Sequence, residues 1–316
     1  PPKSTLFPYT TLFRSWPQIR QFIQEQIKAE RERRLAGVEL SLREQAFRQA
    51  QGMHLAAALF PLDDLVIPPE LIAPPLPADP ESPPVEGSIA QEVIPYMPGW
   101  AEIPSLLGAP RVSFADATQE TSIAIIGPSG SGKSVALAYV AAQIARRSAA
   151  FGHLTERTPL LVHILDLNIN TSGNPAQALI QHFTAGNLLS GQVSSFIQHG
   201  LEDGRIVLLL EGLDELSLEG LRPVSDYLKR LLETYPQLRI ITAASPDCLD
   251  GLTHLPITPL TLAAWRPDQS KEFVQRWSEL WLKWIAPTIK KQTSQDPPNP
   301  YLLNAWLTTT PIFLTP

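Results

Sequence analysis

Residues Gly127-Pro128-Ser129-Gly130-Ser131-Gly132-Lys133-Ser134 form a complete G-x-x-x-x-G-K-[ST] run. That spacing is a phosphate-binding loop: the glycines let the backbone curl so that successive N–H groups, from Ser129 to Ser134, point at one anion. Lys133 is placed to reach the β- and γ-phosphates, and the Ser134 hydroxyl to ligate Mg²⁺. The candidate cofactor-binding set is therefore Gly127, Pro128, Ser129, Gly130, Ser131, Gly132, Lys133, Ser134 and Val135. Further on, the apolar run Ile206–Leu210 leads into Glu211-Gly212-Leu213-Asp214-Glu215. An acid at the end of a buried strand is where a phosphate-loop enzyme orders Mg²⁺ and its attacking water. Glu211 takes the metal side with Ser134, Glu215 is the candidate to polarise the water, and Asp214 can share either task. The candidate catalytic set is Glu215, Asp214 and Lys133, and the chemistry implied is the binding and hydrolysis of a nucleoside triphosphate.

Both motifs need elements that hold them. Ser122–Ile126 reads as the strand before the loop and Lys133–Arg147 as the helix after it, whose positive dipole end adds to the anion site. Further strands are expected at Leu160–Leu165, Ile206–Leu210 and Leu238–Ala243, and further helices at Pro175–Thr184, Gln192–Glu202 and Leu221–Glu233. Short Ile-, Val- and Leu-rich runs separated by helices predict a parallel sheet covered on both faces. The fold class expected is α/β, a three-layer P-loop NTPase domain over residues 101–262.

Upstream, Ile19, Phe22, Ile23 and Ile27 recur at helical spacing and predict a charged amphipathic helix over 16–60, its charges forming a solvated face. Residues 61–100 are a proline-rich linker or strap, because the Pro68-Pro69, Pro74-Pro75 and Pro83-Pro84 doublets oppose regular helix. Residues 263–316 begin a helical lid. There Phe273, Trp277, Leu280, Trp281 and Trp284 form one stripe, read as a core face packing on the sheet domain. Pro1–Ser15 has no periodicity, resembles translated sequencing-adapter sequence, and is set apart from the fold. The chain starts without Met and ends in mid-segment at Pro316, so it reads as a fragment.

With 316 residues and 44% apolar content, the chain can build a sizeable core. A net charge of −6 gives no overall attraction to nucleic acid or anionic lipid. One cysteine, Cys248, excludes an intrachain disulfide and suits a reducing compartment, so a cytoplasmic location is expected. No run approaches the roughly 18 apolar residues that span a bilayer, which leaves a membrane anchor only upstream. The histidines show no zinc-ligand spacing. His163, inside an apolar strand, reads as a satisfied core residue, while Asp166 falls at the strand end where open parallel sheets bind ligands. Base selectivity is assigned to Gly108–Val112, and the absence of a guanine-reading Asn-Lys-x-Asp favours ATP.

The run Leu208-Leu209-Leu210-Glu211-Gly212-Leu213-Asp214-Glu215-Leu216 resembles the second motif of the NACHT class of signal-transducing P-loop NTPases, here of a bacterial, STAND-class type. That motif commonly reads four apolar residues, then Asp-Gly-apolar-Asp-Glu. The resemblance covers about Pro104–Trp284. It implies that the strand carrying the third motif is inserted between the two Walker strands, with a helical lid after the sheet. It also implies a Mg²⁺–ATP molecular switch in signalling or defence, a homo-oligomer in the activated state, and an unidentified protein partner. Two departures stand out. Glu211 replaces the usual Asp, which carries the carboxylate outward by about 1.5 Å. Ser245 stands where many relatives have an arginine before the proline, and a hydroxyl does not neutralise developing charge as a guanidinium does. Slow hydrolysis is therefore expected, or completion by an arginine from a neighbouring protomer; Arg146, Arg147, Arg205 and Arg239 are candidate charges that read better as surface residues. The alternative is a non-hydrolysing interaction module in which ATP or ADP is structural.

Overall fold

The computed structural model describes residues 35–72, 111–118, 121–169, 173–186, 190–248, 252 and 254–287. The strands are β1 (Leu71–Ile72), β2 (Arg111–Val112), β3 (Ser122–Ile126), β4 (Thr158–His163), β5 (Ile206–Glu211), β6 (Arg239–Ala244) and β7 (Ile257–Leu262). They form one sheet in the order β2-β1-β7-β3-β6-β5-β4. From β7 to β4 neighbouring strands are parallel, whereas β1 is antiparallel to both β2 and β7. β6 lies between β3 and β5, the insertion that the family resemblance implied.

The helices are α1 (35–51), α2 (Leu62–Leu65), α3 (Phe114–Ala117), α4 (Lys133–Ala145), α5 (Ala176–Thr184), α6 (Ser190–Glu202), α7 (Leu218–Thr234) and α8 (Pro267–Leu280). A strand that is buried on both sides has no polar face, which is why β5 reads Ile-Val-Leu-Leu-Leu without alternation. Ile206, Leu208 and Leu210 pack with α5, α6 and α7, while Val207 and Leu209 pack with α4 on the opposite face. Helix, sheet and helix make the three layers of an α/β P-loop NTPase-like fold.

Several boundaries differ from the sequence expectation. The first helix stops at residue 51 rather than reaching Phe60, because Gly52 begins a run of turns; residues 16–34 lie outside the described residues. Its inner face is not purely solvated: Val38, Leu42, Arg43, Ala46 and Ala50 are buried. The strap is not only a linker, since Leu71–Ile72 joins the sheet by pairing with Leu262 and Thr261. β7, β1 and β2 lacked a clear strand signal in the sequence. β4 ends at His163, not Leu165, because Ile164–Asp166 turns into a short 3-10 helix.

Tyr227 on α7 is 2% exposed, and its hydroxyl has no hydrogen-bond partner among the described residues. Burial pushes its pKa up. A buried hydroxyl without a partner costs about 1–3 kcal/mol relative to an apolar group of the same shape. Tyr227→Phe is therefore expected to raise the thermal midpoint; a fall in the melt would show that the hydroxyl has a partner.

Candidate functional site

The phosphate loop springs from the C-terminal end of β3, where Ile126 pairs with Ala244 of β6. The Gly127 N–H donates to the Ala244 carbonyl at 3.4 Å, tying the loop to the neighbouring strand. Within the loop the Ser131 N–H donates to the Pro128 carbonyl at 3.2 Å. Gly132 caps α4 with φ 91°, a left-handed conformation that side-chain-bearing residues avoid. Pro128, Ser129 and Gly130 lie exposed at the mouth, while Val135 is buried beneath them in the first turn of α4.

Lys133 is 5% exposed, and its Nζ donates to the Pro128 carbonyl at 3.1 Å. The same Nζ pairs with Asp214 Oδ2 at 3.1 Å. Asp214 therefore faces the lysine rather than the metal-side pair, a placement that spacing alone did not distinguish.

Ser134 Oγ donates to Glu211 Oε1 at 2.7 Å. The added methylene of Glu211 does not carry its carboxylate past the loop; it lands on the hydroxyl. A hydroxyl and a carboxylate facing each other are hard oxygen donors, and they fit a Mg²⁺ that keeps waters and takes phosphate oxygens for its remaining positions.

His163 is not the enclosed core residue that its strand context suggested. It is half-buried at the end of β4, directly across from Glu211 in the β4–β5 ladder. Its Nε2 lies 3.1 Å from Glu211 Oε2 and 3.2 Å from Glu215 Oε1. The ring fits there because residue 212 has no side chain: a Cβ on Gly212 would sit 2.3 Å from Nε2, and Gly212 has φ 86°. Gly212→Ala is expected to cost about 1–2 kcal/mol for the left-handed backbone alone, with the displaced imidazole adding to it. Chemical denaturation beside Gly220→Ala, whose Cβ would meet nothing closer than 3.5 Å, checks this.

The remaining candidates separate from the site. Ser245 Oγ is 3.3 Å from Cys248 Sγ, so its hydroxyl engages the cysteine. Arg146 pairs with Asp63, Arg147 with Glu39 and Arg205 with Asp203. Arg205 and Arg239 stand at the N-terminal ends of β5 and β6, the sheet edge opposite the loop. Asp166 is exposed in the turn after β4.

Of the segment assigned to base selectivity, residues 108–110 lie outside the described residues and Val112 belongs to the edge strand β2. An apolar cleft beside Gly132 and Val135 is walled instead by Val66, Ile67 and Pro69 on one side and Leu262 and Trp265 on the other. Polar ties close around it. Arg111 and Arg266 both pair with Glu70, and Arg276 Nη1 donates to the Val66 carbonyl at 2.8 Å. Within the aromatic stripe of α8, Trp277 meets Phe60 edge-on at 5.6 Å, and Phe273 meets Trp265, just ahead of the helix, at 5.2 Å. Trp284, by contrast, is 58% exposed.

No curated protein matches the chain. Among known families, the NACHT domain matches residues 121–280.

Proposed function

Since the chain belongs to the NACHT family of nucleotide-binding NTPase switches, we propose that it binds ATP with Mg²⁺ and hydrolyses it slowly as a molecular switch in signalling or defence. The observation that carries this reading is the 2.7 Å contact between Ser134 and Glu211 next to the buried Lys133. A P-loop site needs a positive charge for the phosphates and an oxygen pair for the metal, and these side chains supply both. On binding, the phosphates take the place of Asp214 as the partner of Lys133. Glu215 accepts the proton of the attacking water.

The apolar cleft between the strap and Trp265 suits a flat purine. Because Arg276 and Arg266 tie α8 to that strap, a base in the cleft touches both sheet domain and lid, which is the kind of contact that lets a nucleotide bias a two-state arrangement. Activation through a homo-oligomer and an unidentified protein partner belongs to the same proposal. Among the described residues no helix is long and apolar enough to cross a membrane; we place the domain in the cytoplasm.

A second reading is favoured by Ser245, which gives the third motif an uncharged hydroxyl, already engaged with Cys248, in place of a charge for the γ-phosphate. In that reading ATP or ADP is held structurally.

Equilibrium binding of ATP, ADP and GTP, together with Mg²⁺-dependent turnover, separates the two. ATP binding with turnover supports the switch, and tight binding without turnover supports the structural role. Lys133→Ala removes charged hydrogen bonds worth about 1.5–3 kcal/mol, so ATP affinity is expected to fall about 10–150-fold. An unchanged affinity in that variant overturns the phosphate-loop assignment.

A further inference from the structure

We infer that His163 is a positioning residue whose Nε2–H is shared between Glu211 and Glu215 and so holds the base in place. The inference rests on the reading of Glu215 as the group that accepts the water's proton. Glu215 is 55% exposed, on the one-turn 3-10 helix Leu213–Glu215. A long exposed carboxylate has several rotatable bonds and no fixed direction unless something holds it. Among the described residues, the side chain that holds it is His163, at 3.2 Å.

Three features make this contact specific. The Leu165 N–H donates to His163 Nδ1 at 3.3 Å, so Nδ1 is the acceptor and Nε2 is left as the donor. The parallel register sets His163 opposite Glu211 at the ends of β4 and β5, which fixes the first of the two carboxylates. Gly212 leaves the space over which the ring reaches the second.

The same side chains also offer a nitrogen and two oxygens within 4.8 Å of one another, a set that a transition metal accepts. Ligation through Nε2, however, needs its lone pair, which moves the proton to Nδ1. There it faces the Leu165 N–H, donor against donor. The hydrogen-bonding role avoids that conflict.

The test compares wild type, His163→Ala and His163→Gln, each also in a Glu215→Gln background, in steady-state turnover and ATP binding. His163→Ala is expected to lower kcat about 10–100-fold, as loss of an outer partner of a metal-site group does, with little change in KM or ATP affinity. His163→Gln keeps a donor and recovers part of the loss. In the Glu215→Gln background His163→Ala loses most of its effect on kcat, because the ring positions the base through Glu215, and what its contact with Glu211 adds is read in the Mg²⁺ dependence. A rise in KM at constant kcat, or an undiminished loss in that background, overturns the inference.

Should wild type bind ATP without turning it over, the hydrolytic reading fails by itself. Nitrogen-15 NMR of the assigned His163 ring then decides the positioning role. An Nε2-protonated tautomer whose signal moves on Glu215→Gln supports it. An Nδ1-protonated tautomer, or ¹⁴N coupling to Mn²⁺ in pulsed EPR that vanishes in His163→Ala, overturns it in favour of a metal ligand.

Discussion

Glu215→Gln is expected to leave ATP bound and to slow its hydrolysis by about 10²–10⁴-fold, the usual contribution of a positioned general base. Glutamine has nearly the same shape and keeps an oxygen that accepts from His163, but it does not take a proton from water. Because Glu215 is 55% exposed, its charge contributes little to folding, and the variant should melt with wild type. Single-turnover hydrolysis with enzyme in excess over ATP measures the effect free of product release. Glu211 is engaged by Ser134 at 2.7 Å, and a double variant with Asp214→Asn covers the one carboxylate that the phosphates free from Lys133. Undiminished turnover in both variants would therefore remove the second motif, as read, from the chemistry.

Arg43→Ala is expected to destabilise the domain by about 3–5 kcal/mol, the cost of removing a buried guanidinium and the hydrogen bonds it gives to three backbone carbonyls. Arg43 is 4% exposed. Its Nε donates to Glu39 Oε1 at 2.8 Å, Nη1 to the Ile144 carbonyl at 2.8 Å, and Nη2 to the Thr155 and Arg157 carbonyls at 3.1 and 2.8 Å. Ile144 lies in the last turn of α4, where its carbonyl also accepts the Arg147 N–H at 3.0 Å and a cation is favoured by the dipole. Arg43 thus fastens α1 to the far end of the helix that begins at the phosphate loop. Alanine leaves those carbonyls and Glu39 without it. For a domain of this size each kcal/mol shifts the midpoint by about 2–4 °C, so a fall of roughly 6–20 °C is expected in calorimetry. Arg48→Ala is the control, since Arg48 is 70% exposed in its pair with Glu44 and should change stability by no more than about 0.5 kcal/mol. If both variants melt alike, the Arg43 network does not hold the domain together.

The course of the loop was legible because it is local: the glycine spacing of Gly127–Ser134 sets a backbone curl, seen in the left-handed Gly130 and Gly132. The parallel strands were legible for a related reason, since burial on both faces leaves an unbroken apolar run such as Ile206–Leu210. β7 was harder to see. Its Ile-Thr-Pro-Leu-Thr-Leu run carries polar residues and a proline, and it becomes a strand by pairing with β3 and β1. Leu71–Ile72 is too short to signal a strand at all and exists as one only in the company of β7.

Arg43 looked like one more charge on an alternating helix, because nothing in its neighbours' sequence announces three carbonyls far along the chain. His163 was misread for the mirror-image reason. Its apolar neighbours promised a core, while the carboxylates that claim it arrive from β5 and the turn beyond.

By itself, then, the amino-acid sequence determined the phosphate loop, the acidic strand end, the α/β class and the family resemblance, all of which depend on near neighbours and on periodic burial. Only the tertiary structure decided that Asp214 serves Lys133, that Glu211 meets Ser134, that His163 spans two carboxylates and that Arg43 is interior. Each of those pairings joins residues from different elements, and direction in space is settled by strand register and helix packing rather than by the order of residues along the chain.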